Sequence, residues 1–321
     1  VNRLYLLGAC ALLGALALYS LFLGVHEMTL AGLFNGEDRQ TQILLVSRIP
    51  RLIAIITAGM GMSVVGLIMQ QLARNKFVTP STAGTVEAAS LGILVAILFF
   101  GAASVMQKML IAFAFALAGT LIFMQILEHI KFKDVIFVPL VGIMFGGVIG
   151  SVTTFFAYRY DLIQTLGAWT NGDFSGILRG RYEMLYIAVP VTILAYLFAD
   201  RFTLAGMGEE FAINLGLNYK AVVNTGLTIV ALTTSVVVLT VGAIPFLGLI
   251  VPNVVTMIMG DNVKKSLPYT ALLGALFVLA CDIIGRTIRY PYEIPIGTIV
   301  GVLGSGMFLF LIMRRGTYAT G

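Results

Sequence analysis

The chain has 321 residues, 59% of them hydrophobic and only 11% charged, with 35 glycines and a mean hydropathy of +0.99. A soluble globular domain carries roughly 25% charge, so the composition excludes that class and points to a membrane protein. The net charge of +5 does not indicate nucleic acid, because the basic residues are scattered at the ends of apolar segments, where positive-inside bias and snorkelling place them.

Ten predominantly apolar segments are predicted as crossings, at about 4–23, 52–72, 84–101, 107–127, 135–157, 184–199, 221–241, 246–260, 268–288 and 296–313. Most approach the roughly 20 residues that a helix needs to cross about 30 Å of hydrocarbon. The connections are mostly 5 to 25 residues long, too short for a separate folded domain, so a single membrane domain over 1–321 is expected. The first segment is read as a retained span, since its apolar run is long for a signal peptide and has no clear small-x-small cleavage site before His26. Cys10 and Cys281 lie inside apolar segments and read as small core hydrophobes without a redox role. An even number of crossings puts both termini on one side. With the termini inside, the inner segments hold eleven basic residues and the outer ones nine, a modest bias that leaves the outer arginines to be explained.

Gln70 and Gln71 lie near the inner end of the second span, where a polar side chain must pair with another helix or line a wet cavity. The region 160–181 is too polar for a lipid-facing span and is read as short helices at the outer rim, with Trp169 an interface anchor or packed at the mouth of a pathway. The segment from Asp200 to Gly216 has acidic residues in a first turn, apolar positions at Phe211, Ile213 and Leu215, and a glycine stop; it reads as a short amphipathic helix resting on lipid or offered to a partner. Gly242, Pro245, Gly248 and Pro252 break the long uncharged run 221–260 into two spans. Asp282 and Arg286, four apart, suit an intrahelical ion pair. Glu293, in a rigid turn before the last span, is expected to accept backbone amides or to meet an arginine across the bundle.

These motifs, in order, resemble a known family nearly end to end. The pattern is Arg48-Ile49-Pro50-Arg51; Gly66-x-x-Met69-Gln70 with Arg74-Asn75 and Pro80; Trp169 with Gly172; Leu204-Ala205-x-x-x-Glu209 through Leu215-Gly216; Gly242-x-Ile244-x-Phe246-x-Gly248-Leu249-x-x-Pro252; Asp282 with Arg286; and Glu293-Ile294-Pro295-Ile296-Gly297 with Gly304. The chain resembles the permease subunits of type II ABC importers for iron–siderophore complexes, haem and cobalamin, the FecCD-like or BtuC-like family.

The resemblance implies an all-α fold of ten helices in a bacterial cytoplasmic membrane, paired with a second permease, identical or homologous. It also implies two cytoplasmic ATPases that carry ATP and magnesium, an extracytoplasmic solute-binding protein, and no cofactor or metal on this chain. The segment Gly206-Met207-Gly208-Glu209-Glu210-Phe211-Ala212-Ile213-Asn214-Leu215-Gly216 would be the coupling helix seated on the ATPase. Arg48, Arg51 and Arg286 would meet acidic residues of the binding protein, while Met69, Gln70, Gln71, Asn75, Trp169 and Asn253 would lie along the pathway or its gate. Pro50, Pro80, Pro245, Pro252, Asp282, Glu293, Pro295 and Gly297 would be structural. The family commonly has a histidine and an arginine where this chain has Asn253 and Thr256, which implies a changed inner gate or ATPase-facing surface. The forms Met69-Gln70-Gln71 and Asn171-Gly172-Asp173, with Glu87, look most like the branch that handles ferric siderophores, particularly catecholate ones; haem or cobalamin is the alternative cargo. An ion-coupled secondary transporter using Glu293 and Asp282 is the competing class, but it leaves the 206–216 segment and the outer arginines without a purpose. A membrane-embedded enzyme lacks a credible cluster, with only His26 and His129 as histidines.

Overall fold

A computed structural model describes residues 2–24, 38–102, 104–130, 137–180 and 182–316. Its elements are α1 (Asn2–Phe22), α2 (Asp38–Ile43), α3 (Ile49–Leu72), α4 (Thr85–Phe99), α5 (Val105–His129), α6 (Phe137–Arg159), α7 (Ile163–Thr170), α8 (Ala188–Leu197), α9 (Ala199–Gly206), α10 (Glu209–Asn214), α11 (Tyr219–Thr240), α12 (Leu247–Met259), α13 (Val263–Thr287) and α14 (Ile296–Gly316). A π turn, Leu44–Arg48, joins α2 to α3, and a 3-10 turn, Glu183–Ile187, leads into α8. No strand occurs among the described residues.

Six helical stretches are long and apolar enough to cross a membrane, or seven if the segment 183–206, bent by 62°, is one span. Three further expected crossings are the shorter apolar helices Thr85–Phe99, Leu247–Met259 and Ile296–Leu309, so length and composition alone do not establish ten. The start expected at 135 for the fifth crossing lies outside the described residues, which resume at Phe137.

The apolar character of α3 on all sides makes it the central helix. It packs against α13, α12 and α11, while α4, α5 and α6 form a flanking layer joined to it through α11. Glycine permits the two closest crossings. A Cβ on Gly59 would sit 2.7 Å from the carbonyl oxygen of Gly274 in α13, and one on Gly66 would overlap Gly248 in α12. Hydrocarbon supplies no hydrophobic drive between helices, so close backbone approach provides the packing instead.

The expected break before α12 is present, with Gly242 at φ +91° and Phe246 in the left-handed region at φ +59°. It is stitched to the polar rim: Gly172 N–H donates to Ala243 O at 2.9 Å, Asp173 N–H to Val241 O at 2.9 Å, and Gly297 N–H to Gly172 O at 2.9 Å. Three irregular motifs far apart in sequence thus satisfy one another's backbone groups, as irregular backbone at membrane depth requires.

Candidate functional site

The polar chemistry of the bundle gathers at its two ends. At one end, α1 finishes beside the start of α3, the end of α13 and the start of α14. Arg51 forms a two-sided fork here: Nη2 and Nε donate to Asp282 Oδ1 at 2.7 and 3.2 Å, and Nη1 donates to Glu293 Oε2 and Oε1 at 2.7 and 3.0 Å. Arg286 Nη2 lies 2.7 Å from Asp282 Oδ2, the expected pair four residues apart. The same Nη2 donates to the hydroxyl of Ser20, and Nη1 donates at 3.2 Å each to the carbonyls of Ser20 and Leu23. Arg48 Nη1 donates to the carbonyl of Leu21. The carbonyls at the end of α1, which have no helical partner, are therefore met by arginines from the π turn before α3 and from α13.

The three arginines expected to meet the binding protein, Arg48, Arg51 and Arg286, thus lie together at this end and are engaged within the bundle. Arg48 and Arg286 are buried, and the guanidinium of Arg51 is engaged by two carboxylates. Glu293 meets an arginine across the bundle, one of its two expected roles. Pro50 occupies the first turn of α3, where a missing amide costs nothing. A cavity of about 620 Å³ opens at the same end, lined by Asn171, Asp173, Ser175, Lys108 and Pro295 among others. Trp169 falls in α7, but its side chain lies outside the described residues.

At the opposite end, α3 finishes beside α9, α10 and the α12–α13 turn. Gln70 is buried, and its Nε2 donates to Gly248 O at 3.2 Å. The reason lies four residues further along α12, where Pro252 has no amide to give that carbonyl. Gln70 supplies the missing donor, the interhelical hydrogen bond that is one of its two readings. Met69 is fully buried and faces no open surface in this conformer. Asn253 Nδ2 donates to Leu249 O at 2.7 Å and to Lys76 O at 2.8 Å, which ties α12 to the chain leaving α3. Asn75 Oδ1 accepts from Phe77 N–H at 2.9 Å, and Pro80 is buried in the turn that follows.

Gly206 is the last residue of α9, and a Cβ there would collide with Oε1 of Gln71. It is a packing glycine at the end of α9, so the helix proper is α10, Glu209–Asn214, shorter than the expected 206–216. The glycine stop is as expected. Gly216 has φ +79°, and Gly216 N–H to Ile213 O (2.8 Å) with Leu217 N–H to Ala212 O (3.0 Å) closes the helix in the Schellman pattern. Ala212 faces inward, while Met207, Phe211, Ile213 and Leu215 are exposed beside Glu209 and Glu210.

Two clefts flank this knob. One, of about 480 Å³, is lined by Gln70, Gln71, Arg74, Asn75, Lys76 and Asp261 among others. The other, of about 340 Å³, is lined by Arg74, Glu128, Glu209 and Tyr219 among others. Arg74 borders both, in a left-handed conformation at φ +49°, a backbone region uncommon for non-glycine residues. Its place between α3 and α10 was not read from the sequence, because only the approach of segments more than 130 residues apart creates it.

A family model described as the FecCD transport family matches residues 12–314. The chain belongs to the FecCD transport family. Among FecCD relatives, the petrobactin import system permease protein YclN of Bacillus subtilis is 58% identical over 96% of this chain and 98% of its own. The ferric-anguibactin transport system permease protein FatD of Vibrio anguillarum is 39% identical over 92% and 94%. A solved metal-chelate type ABC transporter in an inward-facing conformation superposes with a TM-score of 0.80, covering 98% of this chain and 100% of that one at 22% identity, which establishes the fold. The protein is thus a multi-pass membrane permease of the FecCD family of type II ABC importers.

Proposed function

We propose that this subunit moves a ferric siderophore across the bacterial cytoplasmic membrane, doing no bond chemistry itself. The observation that carries this reading is the 58% identity, over nearly both full lengths, to a petrobactin import permease. A catecholate-bearing siderophore is the cargo proposed. The alternatives of haem and cobalamin draw less support, since the vitamin B12 permease of Vibrio cholerae is only 28% identical.

In this reading the end bearing α10 is cytoplasmic, as are both termini. Two permeases, identical or homologous, enclose the pathway, and two ATPases that hold ATP and magnesium grip the exposed face of Met207, Phe211, Ile213 and Leu215. An apolar knob flanked by carboxylates suits a compact, partly desolvated contact. ATP-driven closure moves α10, and rigid-body rocking opens the pathway to each side in turn. Arg74, between α10 and α3, lies where that motion enters the bundle; Gln71 and Asn75 line the cytoplasmic cleft.

The ion cluster faces outward and receives the solute-binding protein. Charge-assisted pairs between the cluster's arginines and acidic lobes of the binding protein would fix its docking register more than they would supply affinity. Docking then occurs by competition with Asp282 and Glu293 for Arg51, instead of by capture of a free cation.

Cargo and docking are tested together. The cognate binding protein should bind a ferric catecholate siderophore more tightly than haem or cobalamin, and its loaded form should associate with the permease in nanodiscs. Reversing Arg48, Arg51 and Arg286 to glutamate should abolish that association, provided the variant remains folded. Preference for haem or cobalamin would refute the cargo, and unchanged association would refute the docking surface.

A further inference from the structure

α13 begins in a way that its own residues do not support. Lys264 and Lys265 stand in its first turn, where the positive end of the helix dipole disfavours them, and its first amide, Val263 N–H, has no acceptor within the helix. Asn262 caps only later donors: its side chain accepts from Lys265 N–H and its carbonyl from Ser266 N–H, at 3.0 Å each. Both deficits are met from α9, the short helix that leads into α10. Thr203 Oγ1 accepts from Val263 N–H at 3.1 Å while donating its own proton to the carbonyl of Ala199 at 3.0 Å, so the hydroxyl is committed on both sides. Three residues earlier, on the same face of α9, Asp200 Oδ2 accepts from Lys264 Nζ at 2.6 Å.

α9 is also the anchored part of the segment that carries the knob. Ala199, Phe202 and Ala205 are fully buried, and a Cβ on Gly226 of α11 would be 3.0 Å from the Phe202 ring. In α10 only Ala212 is buried. Backbone bonds join the two helices: Gly208 N–H donates to Ala205 O at 3.1 Å and Ala212 N–H to Gly208 O at 3.0 Å. A push on the exposed face of α10 therefore arrives at α9, and through Thr203 and Asp200 at the start of α13. The turn before α13 is braced on its other side, where Lys76 Nζ donates to Asp261 Oδ1 at 2.6 Å.

From there α13 runs 25 residues, about 37 Å, to the arginine–carboxylate cluster, to which it contributes Asp282 and Arg286. Pro268 removes one rung of its backbone ladder, but Val263 and Leu267 before the break and Ala271 and Val278 after it are buried in one core. Close-packed interiors are little compressible, so a helix held in this way carries displacement along its length.

On the reading of the chain as an ATP-driven importer permease, we propose that Thr203, supported by the Asp200–Lys264 pair, is the positioning residue that links the coupling helix to α13. The ATPase end and the docking end of the permease act on each other through this helix. Breaking the link should leave the ATPase seated on α10 but unresponsive to docking outside.

The test uses the complete importer in nanodiscs, with the binding protein loaded with a ferric catecholate siderophore. Thr203→Val keeps the shape of the side chain and removes the hydroxyl, whereas Thr203→Ser keeps the hydroxyl. T203V should retain the ATPase and its basal hydrolysis, while stimulation of hydrolysis by the loaded binding protein falls at least about twofold, a change within reach of one residue on a coupling route. T203S should retain the stimulation. Asp200→Lys should also lower it, and D200K combined with Lys264→Asp, which re-forms the pair with opposite sign, should recover it. The Asp200 and Lys264 side chains are 59% and 51% exposed, so the pair adds little to stability, and its variants decide the matter even if T203V does not fold. Wild-type stimulation in a folded T203V or in D200K, or no recovery in the charge swap, would overturn the link. Absence of stimulation in the wild type itself would instead overturn the importer reading.

Discussion

Asp282→Ala removes the one carboxylate that holds both Arg51 and Arg286. Its side chain is 2% exposed and those of Arg286 and Arg51 are 6% and 14% exposed, so Arg286 loses its countercharge in a place water scarcely reaches, while Arg51 keeps only Glu293. Breaking a buried pair from one side costs about 3–5 kcal/mol, because an uncompensated charge remains. Glu293→Ala removes a carboxylate that is 32% exposed and leaves Arg51 paired with Asp282, so it should cost about 0–1 kcal/mol. Thermal and denaturant unfolding in lipid nanodiscs would measure both. A further variant, Asp282→Ala with Arg51→Met and Arg286→Met, removes the stranded charges as well and should regain most of the loss. Equal stability for D282A and E293A, or no recovery in the triple variant, would refute the view that a charge-balanced cluster holds α1, α3, α13 and α14 together.

Gln70→Leu should cost about 1–3 kcal/mol by orphaning the Gly248 carbonyl, and adding Pro252→Ala, which restores an amide donor, should recover much of it in the same unfolding assay. Gly66→Ala should destabilise by about 1–3 kcal/mol because its Cβ overlaps Gly248, whereas Gly147→Ala, with open space around it, should leave the melting temperature unchanged. Replacing Leu215 and Gly216 with aspartate puts charge on the exposed knob and removes its left-handed stop, so co-purification of the ATPase and cargo-stimulated hydrolysis should both fall sharply.

Local features of the fold were legible in the sequence because their causes are local. Apolar runs of helical length marked the spans, the Gly242–Pro252 cluster marked the break, and spacing by four announced the Asp282–Arg286 pair. Gly216 was recognisable as a helix stop because few other residues accept its left-handed conformation. What stayed hidden depends on which segments meet. Arg51 and Asp282 are 231 positions apart, so nothing near Arg51 indicates that it is already held. Alone, Gln70 is placed on the pathway and Pro252 reads only as a helix break; together they are a donor and the reason a donor is needed. Gly206 counts in the sequence only as the start of the expected coupling segment, and its packing role appears only from the position of Gln71.

The most direct measurement of function is uptake of a radiolabelled ferric siderophore into vesicles containing this permease with its second permease subunit. Uptake should require the ATPase inside, the binding protein outside, and ATP, and should be indifferent to an imposed ion gradient. Accumulation by the permease alone, driven by an ion gradient without ATP, would contradict the assignment.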